Sequence, residues 1–494
     1  MKTHTSLLLT CFFAMACSGK DTDSGTADGT DGLSDTDGED TGDTGEDTGD
    51  APDLTDAYAF ESALSGENSV SYSGQVFRHL LIDDMKAHLG GITDRINEGA
   101  FYPVAGDVVE ELAFYYDFDS SVGGPVPIYT SPDPGALQTT YDDVSSDKDL
   151  AGKTAGNDAT GQHKDWTTEL VGWDQDGVTS PESLIRTWFV EIDEQAVAWG
   201  AGDIPLDPSG APVPAVYVSP EGLDYQQLLQ KFIRGAVAFS QGADDYLDDD
   251  TEGKGLLSDH TALDDGKPYT ALEHQWDEGF GYFGAARSYP DWTDAEIADT
   301  PGRDVNGDGA VDLTREMNWG HSVNAAKRDR GAVAATDYTA EAWLGFYNGR
   351  ALLAETAGTP LTEAQATELA GYRDQALDAW EKALASTVVH YINDTLQDMG
   401  TFGTDDYDFG NHAKHWSEMK GFALAFQFNR RSPMSDADFA AMHALMGQAP
   451  VLEDADQSVQ DDYAAALIEA RTLIGTAYGF DPANLGDDNG ENGW

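Results

Sequence analysis

The sequence predicts an all-α fold, a helical bundle with long irregular loops. Three observations carry this. Apolar residues recur at steps of three and four over long stretches, no run alternates with period two, and capping residues stand where periodic stretches begin. The clearest stripe is Leu377, Trp380, Leu384, Val388, Ile392, Leu396 and Met399, on a long helix that starts near Thr362. Asp224 caps a second stretch holding Leu228, Leu229, Phe232, Ile233, Val237 and Phe239, and Trp343, Phe346, Tyr347, Leu352 and Leu353 mark a third. Further helices are expected around Gln75–Leu89, Gly106–Tyr116, Glu182–Trp199, Leu272–Ala286, His412–Phe428, Asp436–Met446 and Val459–Ala477. Two stretches break the pattern with Gly and Pro, residues 118–180 and 201–223; such loops serve a function or pack as surface caps.

The organisation expected is a signal peptide over 1–16, a lipidated Cys17 with a disordered acidic linker to 56, an all-helical domain over 57–480, and a flexible tail over 481–494. Lys2 followed by an apolar run from Leu7 to Met15 is a charged head on a stretch too short to span a bilayer, as in a secretory signal. The tract 21–56 holds 14 acidic residues and no basic one. It has too little apolar surface to offset its conformational entropy, and like charges extend it. The tail, with Asp487-Asp488-Asn489-Gly490, reads as frayed.

Charge excludes whole classes of function. The chain's 494 residues carry 27 Lys+Arg against 90 Asp+Glu, a formal charge of −63. Such a surface repels phosphate backbones and anionic headgroups, which excludes nucleic acid as a partner, and it attracts cations. Both cysteines, Cys11 and Cys17, fall in the first twenty residues, so neither disulfides nor thiolate-bound zinc hold the folded part.

Two constellations point to metal chemistry. In Asp304-Val305-Asn306-Gly307-Asp308-Gly309-Ala310-Val311-Asp312, oxygen side chains stand at every second position of a tight turn, Gly309 permits the turn, and the Ala310 carbonyl can face inward. This matches the first nine positions of an EF-hand-like calcium loop. Arg315 holds the twelfth position and Glu316 follows one place late, so the expected ligands are Asp304, Asn306, Asp308, Ala310, Asp312 and Glu316. The alternative is an accidental Asp/Gly-rich turn. The second constellation is a candidate transition-metal pocket for iron or a similar ion, formed by His274, Asp277 and Glu278 on one helix and His412, His415 and Glu418 on another. Its alternative is a set of polar groups that pair helices. Trp276-x-Glu278-x-x-Gly281-Tyr282 and Trp416-x-Glu418-x-x-Gly421-Phe422 share a frame in which Trp and Gly sit five apart and mark close helix crossings. That frame suggests two pseudo-repeated halves, unless it is chance similarity between Trp-rich helices.

Several stretches resemble known families. Ala14-Met15-Ala16-Cys17 resembles the end of a bacterial lipoprotein signal, with Ala14 where Leu is usual and Met15 where a small residue is preferred. The resemblance implies acylation of Cys17, attachment to a membrane through that lipid anchor, and, with Ser18 next, the outer membrane of a Gram-negative cell. Without acylation the protein would be secreted. Gly410-Asn411-His412 and His415-Trp416-Ser417-Glu418 resemble the Gly-x-His-x-x-Glu signature of imelysins, helical surface proteins associated with iron uptake and once classed as metallopeptidases. If His412 takes the histidine place, His415 holds the glutamate place; if His415 takes it, Ala413 holds the glycine place. More broadly, Tyr72-Ser73-Gly74-Gln75, Asp149-Leu150-Ala151-Gly152-Lys153 and the two Trp-x-Glu-x-x-Gly segments resemble an uncharacterised bacterial lipoprotein family, a domain of unknown function whose genes lie beside imelysins and outer-membrane receptors. That resemblance implies an accessory part in iron or haem acquisition, with an outer-membrane receptor or imelysin-like protein as partner. A calcium-stabilised structural or adhesive surface protein is the alternative, and an imelysin-like metallopeptidase a second. His-Glu-x-x-His, Gly-x-Ser-x-Gly and Gly-x-x-x-x-Gly-Lys-Ser are all missing from the chain, so the sequence favours a non-enzyme.

Overall fold

Why the periodic stretches become helices is plain at their ends. In the computed structural model, which describes residues 58–494 except 120, 122, 123 and 159–161, the Thr362 hydroxyl accepts from Gln365 N while the Gln365 side chain reaches back, and a 38-residue helix follows. The expected signal peptide, Cys17 and acidic linker lie outside the described residues. The principal helices are α1 (Ser73–Gly90), α2 (Asp107–Tyr116), α3 (Pro181–Gly200), α4 (Tyr225–Ile233), α5 (Ala271–Phe283), α6 (Gly320–Gly331), α7 (Tyr338–Thr356), α8 (Glu363–Gly400), α9 (Phe409–Ala423), α10 (Asp436–Met446) and α11 (Gln457–Tyr478). Asp224 caps α4 through Gln227 N, as its position predicts. The fold is all-α: among the described residues there is no strand, only isolated bridges between loops. No helix of the described residues is long and apolar enough to cross a membrane.

Helix α8 is the central post, flanked by α6, α7, α9 and α11. Its stripe residues Leu377, Trp380, Leu384, Val388, Ile392 and Leu396 are all buried, while Met399 at its end is only partly so. The Trp-x-Glu-x-x-Gly frame has a structural counterpart. A Cβ on Gly281 would meet the Tyr72 and Gln75 side chains at 2.7 and 2.9 Å, where α5 crosses α1. One on Gly421 would meet Lys231 at 2.8 Å, where α9 crosses α4. Both glycines admit a neighbouring helix where any larger residue would collide. Both tryptophans, Trp276 and Trp416, are fully buried and donate to main-chain or tyrosine oxygens.

Three features depart from the sequence expectation. Helix α6 has no apolar stripe; it packs small residues, Ala325 and Ala326, and its His321 accepts the Trp380 indole N–H at 2.9 Å. Beyond Ile233, α4 runs on as wide π-helical turns over Arg234–Phe239 and Gly242–Tyr246. The tail over 481–494, expected to be flexible, is docked instead. Trp494 is buried, its indole donates to Arg328 O, and its carbonyl accepts from Asn393, which also binds Arg471. A buried aromatic with satisfied polar ends outweighs the polar composition of the preceding turn.

The long loop 118–180 is a packed cap. Buried Asp84 on α1 accepts from Tyr129 N, Thr130 N, the Thr130 hydroxyl and the Tyr141 hydroxyl, which fastens the loop onto the helix. The same loop pairs Gly135 and Leu137 with the main chain of Val311, so it also braces the Asp304–Glu316 turn.

Candidate metal sites

The turn at 304–316 is organised from its carboxylates. Asp304 accepts from Gly307 N (2.7 Å) and Asp308 N (3.1 Å) on one oxygen and from Gly309 N (2.8 Å) on the other. Asn306 accepts from Asp308 N, and Asp308 from Ala310 N. Glu316, 6% exposed, ties the ends together: one oxygen takes Val305 N and Asn306 N, the other takes Asp312 N at 2.8 Å. The late glutamate therefore sits at the closure of the loop. Asp312 has one oxygen bound by Thr314 and Gln138. Burial raises its pKa, but these bonds outweigh burial and hold the carboxyl below its ordinary value. Val311 and Leu313 are fully buried, so the turn is anchored in the core while 304–310 face solvent. Hard oxygens on a backbone already bent suit calcium.

Residues 146–342 match a domain of unknown function (DUF4856). No curated protein and no solved structure matches the chain. The matched stretch holds the 304–316 turn and helix α5; helices α8 and α9 lie beyond it.

The six residues expected to form a transition-metal pocket do not converge on one point, although His274 Nε2 stands 3.8 Å from Glu278 one turn on. Asp277 is wholly buried and spent on structure: Arg350 Nε donates to it at 2.8 Å, the Tyr58 hydroxyl at 3.1 Å and Ser71 N at 3.1 Å. Glu273, one turn back, takes the other side of the same guanidinium at 3.1 Å. With a buried arginine neutralising it, this aspartate is committed to holding α5 against α7 and the residue 58–71 segment. His274 bonds Ser71 O through Nδ1 and stacks on Tyr269. Glu278 accepts from Gln75 on the crossing helix α1. In the same frame on α9, Glu418 pairs with Lys231 on the crossing helix α4 at 3.1 Å. Burial raises the Glu418 pKa, but Lys231, Lys414 and Lys86 lower it further, leaving it below the ordinary value. Both glutamates thus clamp helix crossings, the alternative that their spacing left open. His412 is buried, with Nδ1 3.2 Å from the Tyr407 hydroxyl; burial, then the charge of His415, lowers its pKa to about 3. Among the described residues no three or more His, Cys, Asp or Glu side chains stand as a ready metal site.

His415 is the exception to this scatter. Its Nδ1 lies 2.8 Å from Asp398 and its Nε2 4.0 Å from Asp394, and His390 places Nε2 3.3 Å from the same Asp394 oxygen. Burial works against a charged His415, yet the hydrogen bond and charge of Asp398, with Asp394, hold its pKa above the usual histidine value. Burial in turn raises Asp398, with His415 opposing. His390, Asp394 and Asp398 went unnoticed in the sequence, although they stand four apart on one face of α8.

Proposed function

We propose that this protein is an envelope lipoprotein, anchored through Cys17 and held off the membrane by its acidic linker, whose helical domain is braced by calcium at residues 304–316. The observation that supports the calcium reading is the closure of the turn by Glu316, which brings its two ends together with Asp304, Asn306 and Asp308 on the bend between them. The anionic surface concentrates divalent cations near that turn. An accessory part in iron or haem acquisition is the more specific reading, and the pairing of His415 with carboxylates on α8 favours it. Metal analysis of the natively purified protein, with the mass of its N-terminal peptide, tests the proposal. Bound calcium and an acylated Cys17 support it; a chain cleaved after Ala16 without lipid, or one free of calcium, contradicts it.

A further inference from the structure

The docked tail closes one side of a surface cavity of about 250 Å3. Aromatic side chains from separate elements line it: Tyr338 at the start of α7, Tyr478 at the end of α11, and Phe480 and Trp494 from the segment that follows α11. Their rings support one another, with Trp494 6.4 Å from Tyr338 and 4.8 Å from Phe480, and Phe480 stacked on Tyr478 at 5.7 Å. The polar wall is acidic. Asp337, Glu341 and Asp481 line the cavity against a single lysine, Lys382, whose ammonium pairs with Asp378 at 2.7 Å.

Two polar groups of this wall are unspent. Tyr338 is 5% exposed and lines the cavity, yet its hydroxyl makes no hydrogen bond among the described residues. Asp337 and Asp481 are engaged in capping, the first accepting from Ala340 N and the second from Ala483 N. The Glu341 carboxylate, one turn along α7 from Asp337, has no hydrogen-bonded or ion-paired partner among the described residues. Burial raises its pKa, Lys382 opposes, and Asp378, Asp329 and Asp337 raise it further. Like charges therefore crowd this carboxylate, and a positive charge entering the cavity is attracted by all of them.

We propose that this cavity binds a small organic cation, an alkylammonium group held against Glu341, with its apolar body on the aromatic rings and a polar substituent on the Tyr338 hydroxyl. The proposal goes beyond the calcium and iron readings and rests on neither. Aromatic rings accept apolar surface and attract a cation through their quadrupole, the combination by which alkylammonium ligands are recognised. The surplus of carboxylates disfavours a phosphate or carboxylate ligand. At about 30 Å3 for each water the cavity holds roughly eight, which suits a ligand of the size of choline.

The experiment is calorimetric titration of the full chain with choline and with its uncharged isostere 3,3-dimethylbutan-1-ol, in about 0.15 M salt, which screens distant surface charge. One choline per chain is expected, and the isostere should bind about tenfold more weakly. This comparison uses the unaltered protein and does not depend on variants folding. Glu341→Gln should weaken choline by about two- to fivefold. Tyr338→Phe should weaken choline by about two- to tenfold and leave tetramethylammonium, which has no hydroxyl, unchanged. Ala335→Trp, which fills the cavity from an exposed position on its wall, should abolish binding. Glu98→Gln, at an exposed acid outside the cavity, should change nothing. No binding of choline by the unaltered chain, equal affinity for the isostere, or binding that survives Ala335→Trp overturns the site.

Discussion

Asp277→Ala separates a structural aspartate from a metal ligand. In the intact protein the Asp277 carboxylate and that of Glu273 neutralise Arg350, whose side chain is wholly buried. Removing Asp277 leaves the guanidinium with half of its counter-charge, and the Tyr58 hydroxyl and Ser71 N–H lose an acceptor as well. Breaking a buried ion pair by deleting one partner costs about 3–5 kcal/mol, and each orphaned buried donor about 1–3 kcal/mol more, though such terms do not add in full. The expected loss is therefore at least about 4 kcal/mol, a large part of the roughly 5–15 kcal/mol that holds a domain folded. Equilibrium urea unfolding followed by tryptophan fluorescence reads it as a lower midpoint with little change in slope. Metal content of the folded variant should equal that of the parent. Replacing the whole cluster together, Asp277→Leu and Glu273→Gln with Arg350→Met, should recover most of the loss, because no stranded charge then remains. A loss under about 1 kcal/mol accompanied by lost metal would refute this reasoning and return Asp277 to the ligand list.

Two further tests concern the fold. Burial raises the Glu381 pKa to about 7, against hydrogen bonds from Ser432, Tyr478 and Asn429. The folded chain thus holds a proton that the unfolded chain releases above about pH 4.5. Stability from this group is present at acid pH and falls by about 3 kcal/mol as pH rises to 7, so Glu381→Gln should gain on the parent across that window. Parallel stability–pH curves for the two proteins would contradict it. Trp494→Ala removes a buried indole that packs edge-on against Phe480 at 4.8 Å, and should cost about 3–5 kcal/mol in the same unfolding assay. An effect below about 0.5 kcal/mol would mean that the tail is frayed after all.

What was legible in the sequence follows from where the information sits. Helices α8 and α4 were readable because burial on one face imposes a period of 3.6 and because Thr362 and Asp224 mark their starts locally. Helix α6 was not, since it buries small and polar residues and leaves no apolar stripe. The π-helical turns after Ile233 reflect a shift of hydrogen-bond register, which has no compositional mark. In the site regions, spacing located His274, Asp277, Glu278 and His415 on helix faces but could not name their partners. Arg350 lies 73 residues from Asp277, and Lys231 comes to Glu418 from a different helix. His390, Asp394 and Asp398 did carry a signal, a four-residue step along the longest helix, hidden because the apolar stripe of the same helix drew the reading.

Calcium dependence of thermal unfolding in the full chain bears most directly on the account. The parent protein should melt higher in calcium than in chelator, by an amount that grows with the ion; at about one hundred times the dissociation constant the gain is about 2.7 kcal/mol. Asp308→Ala should melt at the same temperature in both. An equal rise in parent and variant, or no rise in the parent, would contradict a calcium-braced domain.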